Sequence, residues 1–460
     1  MAIATELVQD IADYNTRYGC PGEITGDEAI EWCETALDSK LWSVQKDIVR
    51  SVFDNRKTAV RSCNSAGKTF VLSDIILAFL MNMAPAKVIT TAPTFRQVRD
   101  VLWAEIRRKY DEHLFSWFPQ IDCQQTRLEL EPDWFALGIS PDKGVSFQGF
   151  HQTNVLIAFD EAPGVRPEVV QGAETLMAGG NVHTIWIGNP LQASGPFYNA
   201  FRSGGWNSIH IHYKDTPNFT GENLPASIKK ELISPEWVED RRAEWGEGSP
   251  AFMSGCEGEF PIDDGLGIIP LQLCMSAVNR EIEPDGPMVL GVDVGAGGDL
   301  TAYARRRGQV ILDVTTQSTH ESEDVVQRIR EMHARDHYDC ITIDSCGIGW
   351  GVLGALKRWD MPVRGLNVAE TANDPEHYYK RRDEVWYAGR DWLKYGKIPN
   401  DEQLIADLTA PIRLNLSGLG QQRVEKKADT KKRLKMRSPD RADAVLLAIQ
   451  SSAQSGVGAW

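Results

Sequence analysis

The stretch that most constrains the fold is residues 57–82, where a strand-like run, a turn and an apolar helix follow one another. The run KTAVRSC is predicted to be a strand, and FVLSDIILAFLM a buried helix. Between them, Gly67, Lys68 and Thr69 have the spacing of a phosphate-binding loop, in which backbone N–H groups and a helix N-terminus hold phosphate oxygens. Ser62 stands where such a loop usually opens with glycine, and it fits if its φ is negative. The surrounding strand and helix therefore favour a nucleotide-binding loop over a chance Gly-Lys-Thr triplet.

A second buried strand, VLIAFDEA, ends in the adjacent carboxylates Asp160 and Glu161. Asp160 suits the coordination of Mg²⁺, and Glu161 suits a base that orients an attacking water. Alone, this pair could equally be a solvated acidic strand end. The run WIGNP ends a further strand with Asn189, which can sense a γ-phosphate or simply form a turn before Pro190. Because the phosphate-binding loop precedes them, these strand ends predict ATP hydrolysis rather than binding alone.

The predicted ATP site includes residues on both sides of the loop. Gln45 could contact the adenine edge with Trp42 stacking nearby, or both could belong to an amphipathic helix with a buried tryptophan. Arg61 could add positive charge at the phosphates. An arginine that completes the site, from this chain or from a neighbour, has three candidates: Arg96, Arg99 and Arg166. The predicted ATP-binding residues are Gln45, Arg61, Ser62, Ser65, Ala66, Gly67, Lys68, Thr69, Asp160 and Asn189, with Mg²⁺ held through Thr69 and Asp160.

Aspartates mark a second candidate site in the C-terminal part of the chain. Asp293 ends the strand MVLGVD, Asp344 ends CITID, and Asp443 lies on a C-terminal helix. Three carboxylates brought together from separate elements can hold two Mg²⁺ or Mn²⁺ ions, which activate water and stabilise the leaving oxygen of a phosphodiester. Asp440 lies on the same helix face as the helical aspartate and could assist, and Asp299 either assists or caps a turn. These carboxylates predict a metal-dependent nuclease site.

Composition limits the alternatives. The chain has 460 residues, 42% of them hydrophobic and 25% charged, which is typical of a globular protein of two or three domains. The apolar stretch VLSDIILAFLMNMA is too short to span a membrane and includes an aspartate, and no secretory signal is evident at the N-terminus. Eight cysteines without a Cys-x-x-Cys pair argue against a disulfide framework or a structural zinc site, and suit a reducing cytosol.

Charge is distributed unevenly along the chain. The net charge of −15 does not indicate a nucleic-acid-binding protein, so local charge matters more. Residues 423–437 contain eight Lys or Arg against two acidic residues, and 305–307 and 380–382 are also basic. Such runs are most often solvated or mobile segments. The first run falls just before Asp443, where a DNA backbone would need neutralising.

Short apolar runs alternate with helix-like stretches along most of the chain, which predicts α/β domains with mostly parallel sheets and crossover helices. We expect an N-terminal helical segment at 1–40 and a nucleotide-binding domain at 41–262. A Pro/Gly/Asp-rich boundary and a linker at 263–286 lead to a second α/β domain at 287–460.

Taken in order, the motifs SCNSAGKT, FDEA, GNP, GVDVGAGGD, TIDS and PDRADA resemble the large terminase subunit of tailed bacteriophages over about residues 41–455. The resemblance implies a P-loop ATPase domain followed by a ribonuclease H-like nuclease domain. It implies an ATP-driven motor that moves double-stranded DNA into a procapsid and cuts the concatemer with Mg²⁺ or Mn²⁺, in the cytoplasm of the infected host. It also implies a portal protein and a small terminase subunit as partners, several copies in a ring on the portal, and no membrane. A monomer in solution is compatible with it.

Two alternatives come from other classes of protein. The chain could be an ATP-dependent DNA translocase or helicase whose ribonuclease H-like domain only binds, which predicts no metal-dependent cutting. It could also be a nucleotide kinase, but nothing resembles a lid over a phosphate acceptor, and the Asp160–Glu161 pair favours water as the acceptor. A structural capsid component would leave both sets of carboxylates unexplained.

Overall fold

The computed structural model divides the described part of the chain into two units. One unit comprises the described residues up to Val238 together with Ser254–Phe260, and the other comprises Glu239–Met253 and the described residues from Pro261 onwards. The part of the predicted N-terminal helical segment that precedes residue 24 lies outside the described residues, and the domain bounds from the sequence stay a prediction. The structure describes residues 24–116, 121, 123–140, 150, 152–261, 266–295, 299–318, 321–414 and 421–450.

Seven strands form one sheet in the first unit. They are β1 Lys57–Ser62, β2 Ala86–Thr91, β3 Arg127–Glu131, β4 Trp134–Gly138, β5 Asn154–Phe159, β6 Asn181–Gly188 and β7 Asn207–Ile211. Their order across the sheet is β3-β4-β2-β5-β6-β1-β7, and all neighbours run parallel except β3 and β4.

Helices separate most of these strands along the chain. They are α1 Gly26–Ala36, α2 Ser43–Asp54, α3 Lys68–Asn82, α4 Trp103–Lys109, α5 Pro167–Leu176, α6 Gly195–Ala200, α7 Pro217–Thr220 and α8 Ala226–Glu231. Short 3₁₀ turns are formed by Ala162–Gly164 and Tyr213–Asp215. The π-helices are Gln97–Leu102, Tyr110–Leu114 and Met253–Glu257. Two further helices follow α8, namely α9 Pro235–Trp245 and α10 Pro250–Phe252.

The apolar runs of the sequence explain the central strands. Every residue of β2 and β5 is buried, as expected for parallel strands covered on both faces. The pairing sets Arg61 of β1 opposite Gly188 of β6, and Phe159 of β5 opposite Trp186 of β6. The carboxyl ends of β1, β5 and β6 therefore meet at one edge of the sheet, where the predicted ATP-site residues are concentrated.

The apolar stretch that begins after the loop is the buried core helix α3, as predicted. Its Asp74 accepts hydrogen bonds from Lys109 Nζ at 2.6 Å and from Ser39 at 2.9 Å. Burial raises the pKa of Asp74 and lowers the pKa of Lys109, so for both partners the cost of desolvation outweighs their mutual attraction. No helix in the part of the chain described here is long and apolar enough to cross a bilayer.

Five strands form the sheet of the second unit, namely β8 Met288–Asp293, β9 Thr301–Arg307, β10 Val310–Gln317, β11 Cys340–Asp344 and β12 Val363–Leu366. Their order is β10-β9-β8-β11-β12, with β8, β9 and β10 antiparallel to one another in turn and β8, β11 and β12 parallel. The helices are α11 Leu271–Val278, α12 Ser322–Asp336, α13 Gly349–Arg358, α14 Arg381–Trp392, α15 Glu402–Thr409, α16 Lys427–Leu434 and α17 Asp440–Gln450.

Helix α17 lies directly on the central strand β8. Gly291 allows this approach, because a Cβ at that position would overlap the carbonyl oxygen of Ala444 and the backbone of Ala448. The mixed sheet with a helix on its first strand has the ribonuclease H-like arrangement. The predicted fold class, α/β with a mostly parallel P-loop sheet followed by this second sheet, is confirmed.

The basic run RRR at 305–307 is not a uniformly solvated patch, as the sequence alone had suggested. It forms the end of β9, where Arg305 pairs with Asp313. Arg306 is buried and donates to the carbonyl oxygen of Ala448 at 2.9 Å. Only Arg307 of the three is exposed.

Two candidate active sites

The first site is built around the loop between β1 and α3. Ser65 and Gly67 adopt left-handed backbone conformations, with φ of 48° and 75°. The backbone conformation of Gly67 favours glycine, and a Cβ there would also displace the Gln45 amide, whose Nε2 would lie 2.5 Å away. Ser62 is not among the described residues with positive φ, so it meets the condition for replacing the usual first glycine.

Neighbouring segments hold the loop in place. The N–H of Cys63 donates to Ile211 at 2.9 Å, the N–H of Asn64 donates to Gly255 at 2.7 Å, and Ser65 accepts from the N–H of Ile233 at 3.0 Å. The backbone N–H groups of residues 65–69 meet no acceptor within the described part of the chain. The loop is therefore anchored on its outer side and presents free donors on the other, which is the requirement for holding phosphate oxygens.

Lys68 and Asn189 connect the loop to the end of β6. Lys68 Nζ donates to Asn189 Oδ1 at 2.9 Å and to the carbonyl oxygen of Cys63 at 3.2 Å. The Asn189 amide in turn donates to the carbonyl oxygen of Ser62 at 2.7 Å. The structure thus brings together the lysine and the asparagine that the sequence placed 121 residues apart.

The paired carboxylates lie at the end of β5, at the same sheet edge. Asp160 is only 3% exposed, and burial, with Glu161 adding to it and Lys68 opposing it, raises the pKa of Asp160 to about 7. The N–H of Glu161 donates to Asp160 Oδ1 at 3.1 Å, and Glu161 has a φ of 48°. The positive φ of Glu161 is a strained backbone conformation of the kind that clusters at functional sites.

The remaining predicted ATP-site residues have varied positions. Ala66 is buried in the loop, and Thr69 is the second residue of α3. Gln45 Nε2 donates to the carbonyl oxygen of Gly67 at 3.2 Å, and its Oε1 accepts from the N–H of Trp42 at 3.3 Å. Trp42 is completely buried, so the structure favours the buried-tryptophan alternative over stacking on a base.

Four arginines are candidates for the ATP site. Arg61 pairs with Glu259 and lies over the Phe260 ring, so its charge already has a partner, and its place at the phosphates stays a prediction. Arg99 pairs with Asp100 at 2.6 Å. Arg96 and Arg166 are exposed, before the first π-helix and before α5 respectively.

The second site is a cluster of carboxylates around one lysine. Lys427 Nζ lies 2.9 Å from Asp293 Oδ2, 2.8 Å from Asp440 Oδ1 and 3.1 Å from Asp443 Oδ2. Asp293 ends β8, and the other two aspartates occupy the first turn of α17. The carboxylates converge because α17 packs on the strand that ends in Asp293.

In this cluster, burial and the attraction between Lys427 and the aspartates shift the pKa values of these groups in opposite directions. Burial raises the pKa of Asp293 to about 7, against the attraction of Lys427 and with a further rise from Asp443. Burial lowers the pKa of Lys427, but Asp443, Asp293 and Asp440 together outweigh it and hold the ammonium charged. The lysine is therefore the counter-ion of the cluster in this structure.

Asp344 and Asp299 lie at the margin of the cluster. Asp344 ends β11 and accepts from the N–H of Cys346 at 3.0 Å, while burial raises its pKa and Asp443 acts in the same direction. Asp299 accepts from Lys431 Nζ at 2.7 Å. The group that the structure brings together is thus wider than the predicted three, since it includes Asp440 in direct contact with the same lysine.

Sequence reasoning missed the two lysines that reach into the acidic groups. Lys427 and Lys431 are four residues apart on α16, so they share one face of that helix. The signal was present in the basic run 423–437, which had been interpreted only as a DNA-neutralising or solvated segment.

The donor set of the second site fits a hard divalent cation, because such ions prefer carboxylate oxygens. The ammonium of Lys427 marks the point at which three of these carboxylates converge. In the part of the chain that the structure describes, no three His, Cys, Asp or Glu side chains stand ready to hold a metal ion. Binding of an ion would therefore require the lysine to move and the carboxylates to close in.

These features define a chain that joins a P-loop-type α/β unit to a ribonuclease H-like unit, each with carboxylates at the ends of its central strands. No protein-family model matches the chain. Over 451 residues it is 22% identical to the "Probable terminase, large subunit" of Enterobacteria phage P7, covering 89% of this chain and 87% of that protein. This relative confirms the resemblance to large terminase subunits.

Solved structures of similar proteins come from other phages. The large terminase of the thermophilic bacteriophage D6E is 11% identical, with a TM-score of 0.40, and covers 94% of this chain and 99% of its own. The nuclease domain of the large terminase subunit gp2 of bacterial virus Sf6 is 17% identical, with a TM-score of 0.36, and covers 40% of this chain and 98% of its own. Variants of that domain are known with manganese and with calcium. TM-scores of this size add nothing to the fold derived from the strand order.

Proposed function

We propose that this chain is the large subunit of a phage terminase, an ATP-driven motor that moves double-stranded DNA into a procapsid and cuts concatemeric DNA with a metal-dependent nuclease. One observation carries the proposal, namely that a single chain has two separate carboxylate-bearing strand ends. One of them faces a phosphate-binding loop, and the other belongs to the ribonuclease H-like sheet. A protein that only binds or only builds a shell needs neither.

The phosphates of ATP are proposed to bind the free N–H groups of residues 65–69, with Lys68 at the β- and γ-phosphates. Thr69 and Asp160 would hold Mg²⁺, which offsets the charge on the phosphates during hydrolysis. Burial and Glu161 raise the pKa of Asp160 to about 7, and a bound Mg²⁺ would stabilise its charged form. Glu161 would orient the attacking water.

Asn189 is proposed to report the state of the nucleotide. Its Oδ1 accepts from Lys68 Nζ at 2.9 Å, and its amide donates to the carbonyl oxygen of Ser62 at 2.7 Å. A γ-phosphate that attracts Lys68 would weaken this link and release the end of β6. Movement of that strand end is the step that would alter the grip on DNA.

Asp293, Asp344 and Asp443 are the proposed ligands of two Mg²⁺ or Mn²⁺ ions, with Asp440 and Asp299 as auxiliary groups. Bound there, the ions would supply an activated water and stabilise the leaving oxygen of the phosphodiester. Until then Lys427 keeps the buried carboxylates neutralised. The cluster can therefore stay folded without metal and accept it when the lysine moves.

The partners we propose are double-stranded DNA, a portal protein, a small terminase subunit and a procapsid, with copies of this chain in a ring on the portal and a monomer in solution. The place of action would be the cytoplasm of an infected bacterium. The name of the phage P7 relative supports this setting. Arg96 and Arg166, both exposed, are the proposed candidates for an arginine that acts within the chain or on a neighbouring copy.

A DNA translocase or helicase with an inactive ribonuclease H-like unit is the second candidate. The observation that favours it is Lys427, which lies where an ion would bind, in a described region without a ready group of three metal ligands. This candidate predicts ATP hydrolysis without cutting.

The test incubates the purified full chain with linear and circular plasmid and Mg²⁺ or Mn²⁺, and follows ATP turnover in the same tubes. Asp293→Ala should abolish cutting and leave ATP turnover intact, and Lys68→Ala should abolish ATP turnover. Asp391→Ala, which removes an exposed acid paired only with surface cations, is the matched control and should change neither activity. Plasmid that stays intact with both metals while ATP is hydrolysed would favour the inactive-nuclease candidate.

A further inference from the structure

A cleft of about 740 Å³ opens in the second unit beside the nuclease carboxylates. Asp299 and Asp440 of the candidate nuclease site form part of its lining, together with Lys431, Arg437 and Ser438. Clefts of this volume are large enough to hold a nucleotide-sized group. The cleft is therefore continuous with the place where a phosphodiester would be cut.

Ser438 is a residue in the cleft whose buried polar atom the fold does not explain, as is Gln403 with its acceptor Oε1. Ser438 is 9% exposed, and its Oγ is buried without a hydrogen-bond partner in the described part of the chain. A buried hydroxyl without a partner is destabilising, so such groups usually indicate a ligand that completes them. The group that a hydroxyl donor lacks here is an acceptor oxygen.

Cations and carboxylates both line the cleft, four Lys or Arg against six Asp or Glu, and Arg437 is the cation directly beside Ser438. The Arg437 side chain is 68% exposed, and its nearest acid, Glu244, lies 3.8 Å away, too far for a hydrogen bond. Lys431 lines the cleft while paired with Asp299. Ser438 also lies two residues before α17, whose N-terminal end carries the positive end of the helix dipole. An oxygen that is both an acceptor and negatively charged fits this position best.

Carboxylates in the same lining determine the kind of anion. The six acidic residues of the lining would repel a small free anion; they are Glu244, Asp299, Asp401, Glu402, Asp407 and Asp440. A phosphate that is part of a DNA strand is brought to the cleft by the rest of its duplex and by the neighbouring cutting site. This arrangement favours a polymer phosphate over a free one.

We propose that this cleft binds a phosphate group of the DNA strand near the one that is cut, with the Ser438 hydroxyl donating to a phosphate oxygen and Arg437 supplying charge. The inference rests on the proposed nuclease function. It makes Ser438 and Arg437 positioning residues for the DNA rather than catalytic residues.

The first experiment compares the full chain with its Ser438→Ala variant on a short duplex in Mn²⁺. We expect the KM for the duplex to rise roughly tenfold, the size of one lost hydrogen bond to a charged group, with kcat within about twofold. The Tm should stay the same or rise, because the variant removes a partnerless buried hydroxyl. A structural role would instead lower the Tm.

Arg437→Ala should weaken duplex binding and reduce the slope of log affinity against log salt by about one, the value for one lost phosphate contact. Lys394→Ala is the matched control, since Lys394 is an exposed cation that pairs with Asp391 and does not line the cleft. It should leave both KM and the slope unchanged.

A scan of single methylphosphonates along the duplex, followed by fluorescence anisotropy, tests the contact without requiring cutting. Neutralising the phosphate at one position of the duplex should weaken its binding to the unmodified protein. The same methylphosphonate should not weaken binding to the Ser438→Ala variant any further. If every position weakens both proteins equally, the subsite does not exist. Inorganic phosphate that competes with the duplex only in the unmodified protein would assign the cleft to a free anion and overturn the proposal. Absence of cutting by the unmodified protein would instead refute the proposed nuclease, while the binding scan still decides the subsite.

Discussion

Lys427 shows how one side chain determines the state of a whole site. Its ammonium contacts three aspartates from two elements and is held charged by them, although burial opposes this. A cluster of buried carboxylates without a counter-ion is strongly destabilising, so either this lysine or a metal has to be present.

Lys427→Ala should therefore destabilise the chain at pH 7 when divalent ions are removed. We expect a loss of about 2–3 kcal/mol in the free energy of unfolding, less than the ~3–5 kcal/mol of a fully buried pair, because the lysine side chain is 29% exposed. Thermal unfolding in EDTA and in Mn²⁺ measures this, and Mn²⁺ should restore most of the loss. The exposed Lys432→Ala is the control. A variant as stable in EDTA as the unmodified protein would contradict the counter-ion role.

Asp407 provides a pH-dependent prediction at the same scale. It is buried on α15, and burial raises its pKa well above the usual value. The folded state therefore binds the Asp407 proton more tightly than the unfolded state does. Protonation of Asp407 thus stabilises the folded state at low pH, and this stabilisation is lost as the pH rises through the raised pKa of Asp407.

Asp407→Asn should raise the Tm at pH 8 by at least ~2 °C and have a smaller effect at pH 5. The asparagine oxygen can still accept from the N–H of Arg441. Gln403 Nε2 now donates to Asp407, and once the Gln403 amide turns over, the asparagine amide can donate to Gln403 Oε1, which has no partner among the described residues. Calorimetry of both proteins across this pH range measures the difference. An equal shift at both pH values would show that the charge on Asp407 is not the cause.

At the scale of elements, packing of α17 on β8 assembles the second site. Two of the three carboxylates around Lys427 come from the first turn of α17, and the third ends β8. The close approach depends on Gly291, where a Cβ would overlap the backbone of Ala444. Any side chain at 291 would have to push the helix, and its aspartates, away from the strand.

Gly291→Ala is thus expected to abolish metal-dependent cutting while ATP turnover remains within about twofold. The expected loss of stability is ~1–3 kcal/mol, typical of overpacking a close contact. Gly351→Ala on α13 is the matched control, because a Cβ there meets nothing within 4 Å and alanine favours helix. If Gly291→Ala cuts DNA normally, the position of α17 is less critical than its packing suggests.

At the scale of the whole molecule, many basic groups are already paired with acids of the same chain, among them both lysines that meet the nuclease-site carboxylates. The net charge is −15, and even the run 305–307 is largely engaged within its own unit. Around α16, the exposed cations that are not in a hydrogen-bonded ion pair are Lys426, which precedes the helix, Lys432 on it, and Lys435 and Arg437 after it. Few phosphate contacts are therefore available beside the nuclease-site carboxylates.

Binding to duplex DNA should accordingly be weak and depend moderately on salt. For two to four phosphate contacts, affinity should fall about 10- to 100-fold between roughly 50 and 200 mM salt, with a Kd of about 1–100 µM at physiological ionic strength. Anisotropy with a labelled duplex, in the absence of nucleotide, measures both quantities. A nanomolar Kd that is insensitive to salt would indicate a different mode of binding.

Local sequence was sufficient for the apolar strands, the loop and its helix. The strands β1, β2, β5 and β6 are short runs rich in apolar and β-branched residues, and a Gly-Lys-Thr turn between strand and helix has few structural alternatives. Hydrophobic burial and turn geometry act over a few residues, so they can be recognised without knowing the fold. The strand-end aspartates could be predicted for the same reason.

Tertiary structure alone decided what surrounds those residues. β9 was missed because its sequence TAYARRR contains arginines whose partners, Asp313 and the carbonyl oxygen of Ala448, become neighbours only in the folded chain. Arg61 pairs with Glu259, 198 residues away along the chain. Lys427 meets Asp293 across 134 residues. Which side chains are available at each strand end follows from the sequence. How those side chains pair depends on folding, because electrostatic attraction and hydrogen bonding depend on distance in space rather than along the chain.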